Sequence, residues 1–331
     1  MISDGNGNYV ESSESEFPTE GYKFNSELSG CIDLNGNRID STLRYSDGMI
    51  SLSSDKTSMC YVYFDEILNA GKILFRNPTV GLNTTMEGGL YRYQGTSVNN
   101  YICFGISDKT TCVNDTDKYM YRIIGINSDN QLKLIKKEAL NTNYGWHSSN
   151  KGNITWPNSA LYMGLNESYF LSNETYVPSG WGDKIATTTW KYGDNTTYNT
   201  SALNLYSIEN GWTETTNAKI GLMYVHDYYY AYQSGGLNCS PSGAYNNCAT
   251  SWIHLWKSEN DSNASHTYEW TMSRYAHAGN NNPYAAHIVT NGWVNYILAG
   301  NTFSVRPVFF LTSDIQYLSG TGTLTDPILI K

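Results

Sequence analysis

The chain reads as an α+β protein: a small disulfide-stapled β unit followed by a larger, loop-rich domain. Three observations lead there. Short alternating apolar segments, separated by Gly and Asn turn signals, dominate the pattern. The few helical patterns are short and do not alternate with strands in a βαβ rhythm. The six cysteines fall in order as Cys31 and Cys60, Cys103 and Cys112, Cys239 and Cys248, with no CxxC and no Cys/His metal spacing. They therefore read as disulfides, paired in that sequential order as the simplest of the connectivities.

Residues 1–20 are acidic, Ser-rich and aperiodic, and are expected to form a flexible linker. Residues 21–65 form the small β unit. Leu28, Ile32 and Leu34 alternate before the Asn35-Gly36 hairpin signal, and Asp47-Gly48 marks a second turn. A unit this small needs a Cys31–Cys60 staple. Residues 66–87 are helix and connector. The helical pattern spans 65–75, with Asp65 as cap, and ends before Pro78. The large domain covers 88–331. In it, residues 119–126 and 131–136 read as a hairpin, 161–170 as a helix, 219–225 (KIGLMYV) as a buried strand, and 268–272 and 305–311 as core strands. The Cys239–Cys248 pair would close a Gly/Ser/Asn loop.

Charged residues make up only 15% of the 331-residue chain, while Tyr reaches 28. Polarity thus comes from neutral hydrogen-bonding groups, whose contacts salt does not screen. A net charge of −9 and the lack of any Lys/Arg stripe argue against nucleic acid and anionic membrane surfaces. Oxidised cysteines imply an extracellular or cell-surface location. No segment reads as a signal peptide or membrane span, so attachment to a membrane would require an anchor outside these residues.

Residues 252–311 are crowded with Trp, Tyr, Asn, His and Gly and poor in charge, the mixture that binding surfaces use. The candidate ligand-binding residues are Tyr228, Tyr230, Tyr232, Trp256, Tyr275, Asn281, Tyr284, Trp293 and Tyr296. Tyr229 and Trp252 belong to the same set of rings, about half of which are expected in the core. Neither a cofactor nor a metal is implied. Asp33, Asn35 and Asn37 have calcium-loop spacing, but Arg38 stands where Gly is required and Arg44 where a bidentate Glu belongs.

The segments YRIIGINSDNQLKLIKKEAL (121–140), TYVPSGWGDKIATTTWKYG (175–193), KIGLMYVHDYYYA (219–231), EWTMSRYA (269–276) and SVRPVFFLTSDI (304–315) together resemble an uncharacterised domain family of surface and pilin-like proteins of gut Gram-positive bacteria. The likeness covers residues 88–331. The Trp-rich region and its closing VRPV strand also resemble the C-type lectin-like fold, which includes the formylglycine-generating enzyme. This resemblance implies a non-enzymatic, adhesin-like module that recognises a glycan or surface protein through loops over residues 227–300. NNNPY (280–284) and NGWVN (291–295) lack the acids of a lectin calcium site.

Two alternatives remain open. A cell-wall or glycan hydrolase would draw its acid or base from His226, Asp227 or Glu269. No G-x-S-x-G signature accompanies them, adjacent residues on an extended chain point apart, and Glu269 is expected to pair in the core with Arg306 or Arg274. A structural pilus or stalk subunit would instead assemble with other copies of itself.

Overall fold

The computed structural model describes residues 1–3, 8–12, 17–18, 21–39, 42–46, 48–53, 57–67, 69–152, 154–232, 247–254, 268–276 and 282–331. The chain forms two compact units, Met1–Leu68 and Asn69–Lys331. It is sheet-rich with short helices, an α+β arrangement.

In the first unit, β1 (Ile2–Ser3), β2 (Tyr9–Val10), β3 (Tyr22–Ile32), β4 (Arg38–Ile39) and β7 (Met59–Glu66) form one sheet in the order β2-β1-β7-β3-β4. The strands β5 (Thr42–Ser46) and β6 (Met49–Ser53) make a separate hairpin. Cys31 and Cys60 lie opposite each other on β3 and β7 and are bonded. Phe64, 1% exposed, anchors a ring cluster with Phe17, Phe24 and Tyr45. The Asp33 carboxylate accepts the Asn35 and Asn37 amides, so this loop is an Asx-closed hairpin turn. Two sequence expectations change. Ile2, Ser3, Tyr9 and Val10 are strand residues, because β7 offers β1 an edge to pair with and β1 in turn pairs with β2. Asp65 belongs to β7, and the helix starts later.

That helix, α1 (Ala70–Arg76), opens the second unit and is capped by Asn69, whose side chain accepts from the Lys72 amide. The strands β8 (Leu82–Glu87), β9 (Leu90–Tyr93), β10 (Tyr101–Cys103), β11 (Met120–Ile126) and β12 (Leu132–Lys136) follow, with α2 (Lys109–Asn114) and α3 (Thr116–Tyr119) between β10 and β11. Cys103 and Cys112 are bonded across β10 and α2. Cys248 is also disulfide-bonded; Cys239, its expected partner, lies outside the described residues. Next come β13 (Tyr144–Gly145), α4 (Ala160–Met163), β14 (Thr188–Tyr192), β15 (Asp194–Asn195), α5 (Ala202–Asn210), β16 (Glu214–Ala218) and α6 (Val225–Tyr232). The last strands are β17 (Tyr268–Tyr275), β18 (Tyr284–Val289), β19 (Val294–Leu298), β20 (Thr302–Phe303), β21 (Val308–Phe310), β22 (Tyr317–Ser319) and β23 (Leu329–Ile330).

The main sheet runs β21-β12-β11-β9-β8 with β10 also on β11, and a second sheet runs β15-β17-β18-β19. The expected β11–β12 hairpin forms, and Asn130 closes it in the left-handed region (φ 59°), which Asn tolerates better than most residues. The expected helix over 161–170 begins as α4 and widens into a π turn over Gly164–Ser168. The segment 219–225 is buried but is not a ladder strand. It makes one bridge, Gly221 to Val308, and then turns into α6. The disulfides fit an oxidising environment. Among the described residues no helix is long and apolar enough to cross a membrane.

Candidate functional site

Helix α6 places the chemistry. Tyr224 stands at its N-terminus, and the Asp227 carboxylate accepts the Tyr224 amide at 3.0 Å. This is the reciprocal half of a capping box. The sequence suggested that His226 and Asp227 point apart on an extended chain. On a helix they are about 100° apart, and both reach one buried cluster. Asp227 is fully buried and accepts Arg92 Nη1 at 2.8 Å and Lys133 Nζ at 2.6 Å. His226 Nδ1 is 2.5 Å from Glu209 Oε2, and Nε2 is 3.5 Å from Asp227 Oδ1. Glu209, buried on α5, also accepts Ser273 Oγ and Asn195 Nδ2. Burial alone would raise the Asp227 carboxyl, but Lys133, His226 and Arg92 together hold it far below the usual carboxylate range. Burial lowers the Lys133 ammonium, against the pull of Asp227.

Arg92, Lys133, Glu209 and His226 of this cluster line a pocket of about 390 Å³, within the range of small-molecule sites. Trp190, Tyr206, Tyr224, Phe310 and Leu90 supply its apolar lining, and Thr188, Thr189, Asn127 and Asn210 its neutral polar groups. Tyr224 lies flat against the His226 ring, with centroids 5.1 Å apart, and Tyr206 meets that ring edge-on at 5.3 Å. The Lys133 ammonium sits among Tyr224, Phe310 and Trp190, at 5.3, 5.6 and 5.9 Å from their ring centres, a cation–π cage. Glycines make the shape possible. A Cβ on Gly221 would lie 2.7 Å from the Trp190 ring. Gly88 and Gly89, at φ 57° and 76°, form the two-residue turn from β8 to β9, where both central residues need positive φ.

The candidate rings chosen from the sequence divide. Tyr228 and Tyr230 are corrected to core positions, 0% and 1% exposed. Once 225–232 is a helix wedged against both sheets, its rings face inward. Tyr228 Oη is bonded to His254 Nδ1 and Gly292 O, and Tyr230 lies beneath the Arg92 guanidinium. Tyr229 and Trp252 are buried too. Tyr232, Tyr275, Tyr284, Trp293 and Tyr296 are half-buried. Tyr275 and Tyr296 stack at 3.6 Å, and Tyr284 meets Tyr296 edge-on at 6.0 Å. Trp256 and Asn281 lie outside the described residues.

Glu269 pairs with Arg306, as one of its two expected partners, through Nε–Oε1 at 2.7 Å and Nη2–Oε2 at 2.8 Å. Arg274 instead meets Asp194 at 2.8 Å. Among the described residues no group of three His, Cys, Asp or Glu side chains could hold a metal ion. Sequence reasoning missed Lys133, Glu209, Trp190, Tyr206, Tyr224 and Phe310 as site residues. They come from four separate elements and the turn before α6, so the only local signal was the His226-Asp227 pair. No protein family, no curated protein and no solved structure matches the chain.

Proposed function

We propose that residues 69–331 form a C-type lectin-like ligand-binding domain of an extracellular bacterial surface protein, and that it binds a glycan in the pocket beside α6 rather than catalysing a reaction. One observation carries this reading. The pocket is walled by aromatic rings, while the ionisable groups of the buried cluster beside it are engaged with one another. Both His226 nitrogens face carboxylates, and Asp227 is held by two cations. Glu269, the third acid or base considered for a hydrolase, is sealed against Arg306. A general acid or base needs a proton position open to substrate, and these three groups are engaged with buried partners instead: His226 with Glu209, Asp227 with Arg92 and Lys133, Glu269 with Arg306. The aromatic walls and amide or hydroxyl groups offer stacking faces and neutral hydrogen bonds, as a sugar ring requires. The disulfides fit the extracellular placement.

A second reading keeps the docking face on the C-terminal sheet, with a protein partner on Tyr275, Tyr284 and Tyr296. The ring cluster these three form favours it. A glycan panel with wild type and two variants tests the pocket as the binding site. Tyr206→Ala removes a half-buried pocket ring and is expected to weaken glycan binding at least tenfold. Tyr284→Ala should leave glycan binding unchanged. The reverse pattern moves the site to the sheet, and intact binding in both variants refutes the pocket.

A further inference from the structure

Lys133 carries the chemistry that the binding reading alone does not use. Its ammonium has three N–H donors. Among the described residues, the hydrogen-bond acceptor found for it is Asp227 Oδ2 at 2.6 Å. Its other neighbours in the pocket are the faces of Tyr224, Phe310 and Trp190. Those faces attract the charge but do not replace oxygen acceptors. The side chain is 4% exposed, yet it lines the cavity. A ligand oxygen entering the pocket meets a desolvated ammonium with donors to spare.

Charge sets the sign of that ligand. The buried cluster holds two basic side chains, Arg92 and Lys133, and two carboxylates, Asp227 and Glu209. Both carboxylates are consumed: Asp227 by Arg92, Lys133 and the Tyr224 amide, Glu209 by His226, Ser273 and Asn195. Lys191 adds a further cation to the lining. A cationic ligand is disfavoured, since the chain's own ammonium already fills the aromatic cage. An anionic group would supply acceptors for the Lys133 donors beyond the one on Asp227, and electrostatic attraction is strong at so deeply buried an ammonium. The rest of the lining points to a sugar as the carrier. Rings present flat apolar faces, and Thr188, Thr189 and Asn210 present neutral donors and acceptors.

We propose that the pocket selects an acidic sugar, its carboxylate seated on the Lys133 ammonium and its ring laid against the aromatic wall. This rests on the pocket being the glycan site, and the experiment keeps the two claims apart. The full chain is titrated calorimetrically with methyl glucuronide and a methyl sialoside, with the methyl ester of each acid, and with methyl glucoside. The esters keep shape and hydroxyls but lose the charge. The expected result is that at least one acid binds tenfold or more tightly than its own ester, and that Lys133→Gln removes this preference. Equal binding of acid and ester in the wild type, lost in Tyr206→Ala, overturns acid selectivity and leaves the glycan pocket standing. Acid preference that survives both Tyr206→Ala and Lys133→Gln places the acid elsewhere and also overturns the proposal. Binding of none of the five sugars overturns the acid proposal and counts against the glycan reading with it. Should Lys133→Gln fail to fold, the acid-to-ester ratio in the wild type still decides.

Discussion

Two buried ion clusters in the larger unit use similar residues to different ends. Glu269 and Arg306 are both nearly inaccessible and matched one to one. Two hydrogen bonds join them, and Arg306 Nη2 gives another to the Ile253 carbonyl. Each Glu269 oxygen receives one Arg306 donor, and neither residue lines the pocket. Asp227 by contrast is shared between Arg92 and Lys133, and both cations line the pocket. A stoichiometric pair is a structural fastener. A cluster with more donors than acceptors beside a cavity is prepared for something to complete it. The difference lies in the count of partners, not in burial, which is similar in both.

The largest expected effect tests that contrast directly. Glu269→Ala leaves Arg306 charged and buried, so unfolding by urea should show a loss of about 3–5 kcal/mol. Replacing both partners with apolar residues, Glu269→Leu with Arg306→Met, should recover most of it, since matched hydrophobic replacement is often neutral. Lys133→Met should cost far less, about 1 kcal/mol, because Asp227 keeps Arg92 and the Tyr224 amide while burial already opposes the Lys133 charge. Equal losses for Glu269→Ala and Lys133→Met would erase the distinction between fastener and open cluster.

Acid should separate the two regions next. His287 sits opposite Trp270 on β18, one position from the Ile288–Glu269 pair, and among the rings of Tyr268, Trp270 and Phe303. Burial pushes its imidazole down to about 4 from the ordinary 6.5. Above the unfolded value both states are neutral and the residue is without effect. As pH falls from 6.5 towards 4, the unfolded chain takes up the proton and the folded chain does not. Stability is therefore lost across that window, by about 3 kcal/mol at most. Asp227 stays ionised throughout, so its pairing with Arg92 and Lys133 persists. Denaturation curves at pH 7.5 and 4.5 should show the loss in wild type and a smaller one in His287→Phe. Identical pH dependence in both would remove His287 as the cause.

The contrast also explains what could be read from the chain alone. The Cys31–Cys60 staple, the Asn35-Gly36 turn, the β11–β12 hairpin and the Glu269–Arg306 pair all depend on local signals, or on the rule that a buried ion needs a partner. Each was legible. The pocket was not, because Lys133, Trp190, Glu209 and Phe310 are brought together by β12, β14, α5 and β21. Nothing about any one of them marks it as lining a cavity. The residues 225–232 misled for a definite reason. Their apolar and aromatic run follows a buried segment, and composition cannot tell a buried helix from a buried strand when the run is short. Reading that helix as an exposed loop turned Tyr228 and Tyr230 outward.

The smallest expected effect concerns Lys191, the other lysine of the pocket lining. It is half-buried, with its ammonium on the Asn210 carbonyl. Lys191→Gln removes a solvated charge and should change stability by no more than about 0.5 kcal/mol. Its influence on an acidic ligand acts through water, so salt screens it, with a Debye length of roughly 10 Å at 0.1 M. Lys133 acts by direct contact in a site that salt reaches poorly. The acid-to-ester affinity ratio should therefore fall a few-fold in Lys191→Gln at low salt and match wild type at 0.5 M salt, whereas the loss in Lys133→Gln should persist at both. If Lys191→Gln abolished the preference at every salt concentration, the carboxylate would sit against Lys191, and the donors left over on Lys133 would serve the cage alone.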